Sequence, residues 1–173
     1  MGLNVWLFRF VSDFAGRWPA LDIIAIFFSE YVWLIMLAVV AGKFLMDRQR
    51  HKDMAIVSIG SAVIARGIIV SIIKWFYDHP RPDMVIKVNA LLAGGDTVNS
   101  FPSGHTTFVF ALAAGVYFYD KKLGRWLLAA AALVGLARIY AGVHWPFDIL
   151  AGAVLGVLSA YVFNRVYRKK ERE

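Results

Sequence analysis

Five apolar runs, separated by short polar stretches, occupy most of this chain: residues 21–45, 54–77, 105–119, 126–143 and 147–167. Crossing a bilayer takes roughly 20 consecutive apolar residues, so each run reads as a membrane-spanning helix. The third is short for a hydrocarbon core of about 30 Å. It either continues past Asp120 or lies beside a thinned, protein-lined site. Ahead of them, residues 4–18 (NVWLFRFVSDFAGRW) are aromatic but carry Arg9 and Asp13. That stretch is too short and too charged to span. It also lacks the basic start and small-residue cleavage site of a signal peptide, and reads as an amphipathic helix lying in the interface. The pattern predicts an all-α integral membrane bundle of about five transmembrane helices. One domain covers residues 1–173: an interfacial helix at 1–18, the bundle at 21–167 and a basic tail at 168–173.

Composition agrees. Of 173 residues, 60% are hydrophobic, above the roughly 45–50% of a soluble domain. The net charge of +7 would suit nucleic acid, but the cations sit at the ends of apolar runs, where they signal topology instead. Twelve of the nineteen Lys and Arg residues fall in segments 43–52, 121–125 and 165–172, which alternate to one side of the membrane. The positive-inside rule makes that side cytoplasmic, with the N-terminus outside and the C-terminus inside. The absence of cysteine excludes disulfides, a thiolate nucleophile and zinc–thiolate sites.

Three polar clusters then share the outer face: residues 74–82 (KWFYDHPRP), 102–105 (PSGH) and 138–148 (RIYAGVHWPFD). Lys74 should end the second span, with Arg81 just beyond, because Pro80 and Pro82 cannot continue a helix. Lys74 offers a point charge and Arg81 a planar fork for two oxygens. Taken alone, both could be cations that snorkel to the interface. Ser103 should cap the third span, leaving the Gly104 and His105 N–H groups to face an anion. His105, in the first turn, is placed to protonate a leaving oxygen; it could equally be incidental to a capped helix. Arg138 ends the fourth span and His144 precedes the fifth. Asp148 follows one turn later, able to fix the histidine tautomer and free the other ring nitrogen as a nucleophile. A purely structural His–Asp pair would look the same. Together the clusters predict a phosphate-transfer site.

The three stretches resemble the three-part signature of the type 2 phosphatidic-acid phosphatase superfamily, K-x6-R-P, P-S-G-H and S-R-x5-H-x3-D. The match runs in order from Lys74 to Asp148, close to half the chain. It departs at Ala137, where the pattern has serine. The resemblance implies that His144 forms a phosphohistidine and that Asp148 orients it. It also implies that His105 protonates the leaving group and then activates water. Lys74, Arg81, Arg138, Ser103 and the Gly104 N–H would hold the phosphoryl oxygens, with no metal and no cofactor. The short chain with an interfacial N-terminal helix is similar to the undecaprenyl-pyrophosphate phosphatases. A polyprenyl diphosphate at the extracytoplasmic face of the cell membrane is the expected substrate. Phosphatidylglycerophosphate, phosphatidate and diacylglycerol pyrophosphate are the alternatives, and lipid-phosphate transport is a distant one.

Other positions carry expectations of their own. Glu30 and Arg66 lie at similar depth in the first two spans. An intramembrane charge needs a partner, so they are expected to pair, or else one points into the substrate cleft. His79 reads as an exposed loop histidine, with gating or pH tuning as the alternative. Residues 83–100, with Gly94, Gly95 and Asn99, form the one sizeable loop and either cap the site or merely connect. Gly152 and Gly156 suit close packing within the chain, and are also compatible with a homo-oligomer.

Overall fold

The computed structural model describes residues 2–92 and 99–170 and is all-helical apart from one isolated bridge, Pro80 with Asn99. The helices are α1 (Leu3–Ser12), α2 (Pro19–Glu30), α3 (Val32–Met46), α4 (Arg48–Ile64), α5 (Val70–Phe76), α6 (Pro82–Val85), α7 (Gly104–Tyr117), α8 (Lys121–Tyr140) and α9 (Pro146–Lys170). A π-helical turn, Ala65–Ile69, joins α4 to α5 without breaking their course.

Local chemistry sets the boundaries. Asp47 caps α4 by accepting from the Arg50 N–H at 3.0 Å, and Asp120 caps α8 through the Leu123 N–H at 2.9 Å. Each supplies an acceptor to a helix start that has none of its own. Proline opens α2, α6 and α9, where its missing N–H costs nothing.

Among the described residues three helical stretches are long and apolar enough to cross a membrane: Arg48–Phe76, Lys121–Tyr140 and Pro146–Lys170. The run at 21–45 is not one straight helix. It breaks at Tyr31 into α2 and α3, bent by 48°, and together they qualify as a fourth. The break follows the polar step Ser29–Glu30, which turns inward to meet α8. The expectation that the third run continues past Asp120 is not met. Helix α7 ends at Tyr117 because Asp120 is already the cap of α8. Its 14 residues rise only about 21 Å.

That short helix is the axis of the bundle. It packs against α9, α8, α4 and α3, and its residues Ala111 to Val116 are all buried. Close approach depends on missing side chains. A Cβ on Gly152 would lie 2.8 Å from the Ser103 carbonyl oxygen, and one on Gly156 would lie 2.5 Å from that of Thr107. Both glycines therefore serve packing within the chain. They seat α9 against α7 and bring the start of α9 beside the start of α7.

Candidate active site

All three polar clusters meet at one end of the bundle, and each is fastened to the next. In the last turn of α5, the Lys74 ammonium donates to the Asn99 carbonyl oxygen at 2.9 Å, and the Asn99 amide donates back to the Lys74 carbonyl at 2.8 Å. Asn99 also accepts from the His79 N–H at 3.3 Å. The far end of the 83–100 segment is thus clamped to the first cluster, and the Leu91 N–H donates to the Ala141 carbonyl beside the third at 3.1 Å. Gly94 and Gly95 lie outside the described residues.

Arg81, stopped between Pro80 and Pro82, is buried and donates from Nη1 to the Val143 carbonyl at 3.0 Å. Burial presses its guanidinium below the ordinary arginine value, with Asp83 and Asp148 opposing. The Trp145 indole donates to the Pro80 carbonyl at 2.9 Å. These bonds tie the first cluster to the third.

Ser103 caps α7, accepting from the Thr106 N–H at 3.5 Å and its hydroxyl at 3.1 Å. The Ser103 N–H donates to the Asp148 carbonyl at 3.1 Å, which ties the second cluster to the third. Gly104 is buried and His105, half-buried, opens into a cavity shared with Trp33, Arg66 and Phe108. The ionisable groups acting on His105 are Arg138, Arg66, His144 and Lys74.

His144 is 2% exposed and lies in the turn between α8 and α9. That turn is closed by Gly142, whose φ of +83° favours glycine. Asp148 is fully buried. Its Oδ2 accepts from the Trp145 N–H at 2.9 Å and sits 3.3 Å from His144 Nδ1. With the carboxylate holding Nδ1–H, the lone pair of the neutral ring is on Nε2, the nucleophilic position. Burial pushes the His144 imidazole down from 6.5 to about 4, against the Asp148 hydrogen bond, so it is neutral at pH 7.

Two relationships differ from the sequence-based expectations. Glu30 pairs with Arg138, not with Arg66: Oε1 lies 2.7 Å from Arg138 Nη1, and the Ser29 hydroxyl lies 3.1 Å from the same nitrogen. The bend at Tyr31 carries this polar step onto α8, where Arg138 is buried and needs a counter-charge. Arg66 lies on the π turn, exposed, and makes no ion pair among the described residues. His79 is the second difference. It is not simply an exposed loop residue: its ring stacks on Tyr77, edges onto Phe101 and places Nε2 3.8 Å from Asp148 Oδ1. Helix α5 stops at Phe76, and the segment that follows brings His79 to Asp148 at the start of α9, a long-range contact invisible in the local pattern.

One face of α1 covers the site. Phe8 is buried against Trp145, ring centroids 5.1 Å apart, and the Phe147 N–H donates to Asn4 at 3.1 Å. The opposite face exposes Leu3, Trp6 and Phe10. Among the described residues no group of three His, Asp or Glu side chains is placed to hold a metal ion.

A neutral imidazole backed by a buried carboxylate, a second imidazole and a surround of cations can attack and stabilise a phosphoryl group. The family model of the PAP2 superfamily matches residues 55–172. Over 163 residues the chain is 33% identical to the "bacitracin transport permease protein BcrC" of Bacillus licheniformis, covering 93% of this chain and 79% of that one. It is 32% identical over 162 residues to an undecaprenyl-diphosphatase of Sulfolobus acidocaldarius, covering 90% and 74%. The crystal structure of LpxE from Aquifex aeolicus superposes with a TM-score of 0.78 at 28% identity, covering 95% and 96%. Site chemistry, sequence and fold therefore agree that the chain is a phosphatase of the PAP2 superfamily.

Proposed function

We propose that the protein removes the terminal phosphate of a polyprenyl diphosphate, most simply undecaprenyl diphosphate, at the outer face of the cell membrane, through a phosphohistidine. The observation that carries this reading is the His144–Asp148 pair, buried at the point where all three clusters are bonded together. Nε2 of His144 attacks the terminal phosphorus, the bridging P–O bond breaks, and His105 gives a proton to the departing oxygen. His105 then takes a proton from water, which attacks the phosphohistidine and releases orthophosphate. Lys74, Arg81, Arg138, Ser103 and the Gly104 N–H hold the phosphoryl oxygens. Such preorganised donors are commonly the largest catalytic term.

Location supports the substrate class. In this reading α2–α3, α4–α5, α7, α8 and α9 are the five spans. Helix α1 lies in the interface with Trp6 and Phe10 towards lipid. A site at one end of the bundle can take a head group while the tail stays in the bilayer. One relative is named an undecaprenyl-diphosphatase, which fits a substrate of this class.

The test is phosphate release by purified protein from a panel of polyprenyl diphosphate, polyprenyl monophosphate, phosphatidate and phosphatidylglycerophosphate, with chelator present. The diphosphate should show the largest kcat/KM, and His144→Ala should lose turnover by at least about 10³-fold while eluting as the wild type does. Near-normal release by His144→Ala would refute the mechanism, and preference for a monophosphate would refute the substrate. Substrate movement across liposomes without any phosphate release would support transport instead.

A further inference from the structure

Arg66 is the basic residue of this region that the mechanism leaves unused. It sits on the π turn Ala65–Ile69, eight positions before Lys74 and therefore about 12 Å deeper along the span. Turns of this kind, inserted in a helix, frequently mark functional positions. The guanidinium packs over Gly104 of the PSGH turn, in space that any Cβ would occupy. With His105, Trp33 and Phe108 it lines a cavity of about 70 Å³. That is about two water volumes, the scale of one phosphoryl group. Phe108 lies one turn deeper than His105 and meets Trp33 edge-to-face at 5.8 Å, forming an apolar wall beside the cation.

The other three cations are each tied to a neighbouring oxygen: Lys74 to Asn99, Arg81 to Val143, and Arg138 to Glu30 and Ser29. Among the described residues Arg66 has neither an ion pair nor a hydrogen bond, although a cation inside a span is expensive without a partner. Its reach towards His105, the leaving-group acid, shows on which side of the reaction an anion would satisfy it.

We propose that Arg66 and the His105–Trp33–Phe108 cavity form a subsite for the leaving phosphate of a lipid diphosphate, selecting diphosphates over monophosphates. The inference rests on the diphosphate reading above. When His144 Nε2 bonds to the terminal phosphorus, the electron pair of the broken P–O bond passes to the bridging oxygen. The departing group is then a lipid monophosphate, whose second pKa is about 6. It leaves as a stable anion that a guanidinium can hold bidentately, with the prenyl chain running past Phe108 and Trp33. A lipid monophosphate has an alkoxide leaving group instead and gives Arg66 no second phosphate to hold.

The experiment measures kcat/KM for farnesyl diphosphate and farnesyl monophosphate with wild type, Arg66→Gln and Arg66→Lys. The diphosphate-to-monophosphate ratio should fall by about 10- to 100-fold in Arg66→Gln, the loss typical of one charge-assisted contact, and recover in part in Arg66→Lys. A second measurement needs only wild type. A farnesyl methylenediphosphonate should inhibit at least about tenfold more tightly than the matching monophosphonate. An unchanged ratio in Arg66→Gln, or equal inhibition by the two phosphonates, overturns the subsite while leaving diphosphate hydrolysis in place. Wild type acting on the monophosphate alone overturns the substrate reading and the subsite with it.

Discussion

His144 and Glu30 show how burial assigns chemistry to single residues. The imidazole is buried, and its value of about 4 keeps the proposed nucleophile deprotonated across the neutral range. An ordinary histidine would lose nucleophilicity as pH fell through 6.5. Here the acid limb of kcat/KM attributable to His144 should lie below pH 5, read from a pH profile of the free enzyme. The same depression gives a stability contribution that is complete above pH 6.5 and is lost as pH falls towards 4, because the unfolded chain binds the proton first. Glu30 acts differently, as a positioning residue 2.7 Å from Arg138. Both variants remove the counter-charge of the buried Arg138 guanidinium, but Glu30→Gln can still accept its hydrogen bond, whereas Glu30→Ala loses charge and acceptor together. Loss of kcat/KM should reach about 10- to 100-fold in Glu30→Ala and be smaller in Glu30→Gln, with the wild-type elution profile retained by the Gln variant. Equal losses in the two variants would argue against this role. Glu30 was identifiable from sequence as an intramembrane charge, but its partner was not. Depth along a helix follows from residue number, whereas the neighbour it faces depends on the bend at Tyr31.

Among the elements, α7 and α9 decide whether the site exists at all. The PSGH turn and the His144–Asp148 turn approach because Gly152 and Gly156 let α9 lie directly on α7. Gly156→Val would force its side chain against the Thr107 carbonyl and the Ala111 N–H, both backbone atoms that cannot step aside. Overpacking of this kind costs about 1–3 kcal/mol. The expected result is a lower thermal midpoint in detergent together with reduced turnover, whereas Gly42→Val, where nothing lies within 4 Å, should leave the midpoint unchanged. The glycine spacing was visible in the sequence and suited close packing within the chain. Its partner helix was not visible, because a small-residue stripe records closeness and not identity. The 14-residue length of α7 also becomes intelligible here: it is enclosed by its neighbours and need not match the bilayer alone.

At the scale of the molecule, the two ends of the bundle differ in chemistry. One end gathers α1, the three clusters and the aromatic Trp145–Phe8 contact. The other carries the Lys43–Asp120 ion pair and the Tyr167–Asp53 hydrogen bond among the basic loops. If the basic end is cytoplasmic, single cysteines placed in this cysteine-free chain should sort by side. Asp83→Cys should react with an impermeant maleimide added outside intact cells, and Lys122→Cys only after permeabilisation. The reverse pattern would put the site inside and remove the outer-face proposal.

What the amino-acid sequence determined alone was which reactive residue types are present and their order along the chain. Hydropathy and helix punctuation are local properties, and the spacings 74–82, 102–105 and 138–148 survive any arrangement of the helices. Tertiary structure decided the partnerships: Glu30 with Arg138, Arg66 against Gly104, His79 towards Asp148 and α1 against Trp145. Each depends on helix rotation, on a bend or on a folded-back loop, and those are fixed only when several elements compete for the same interior volume.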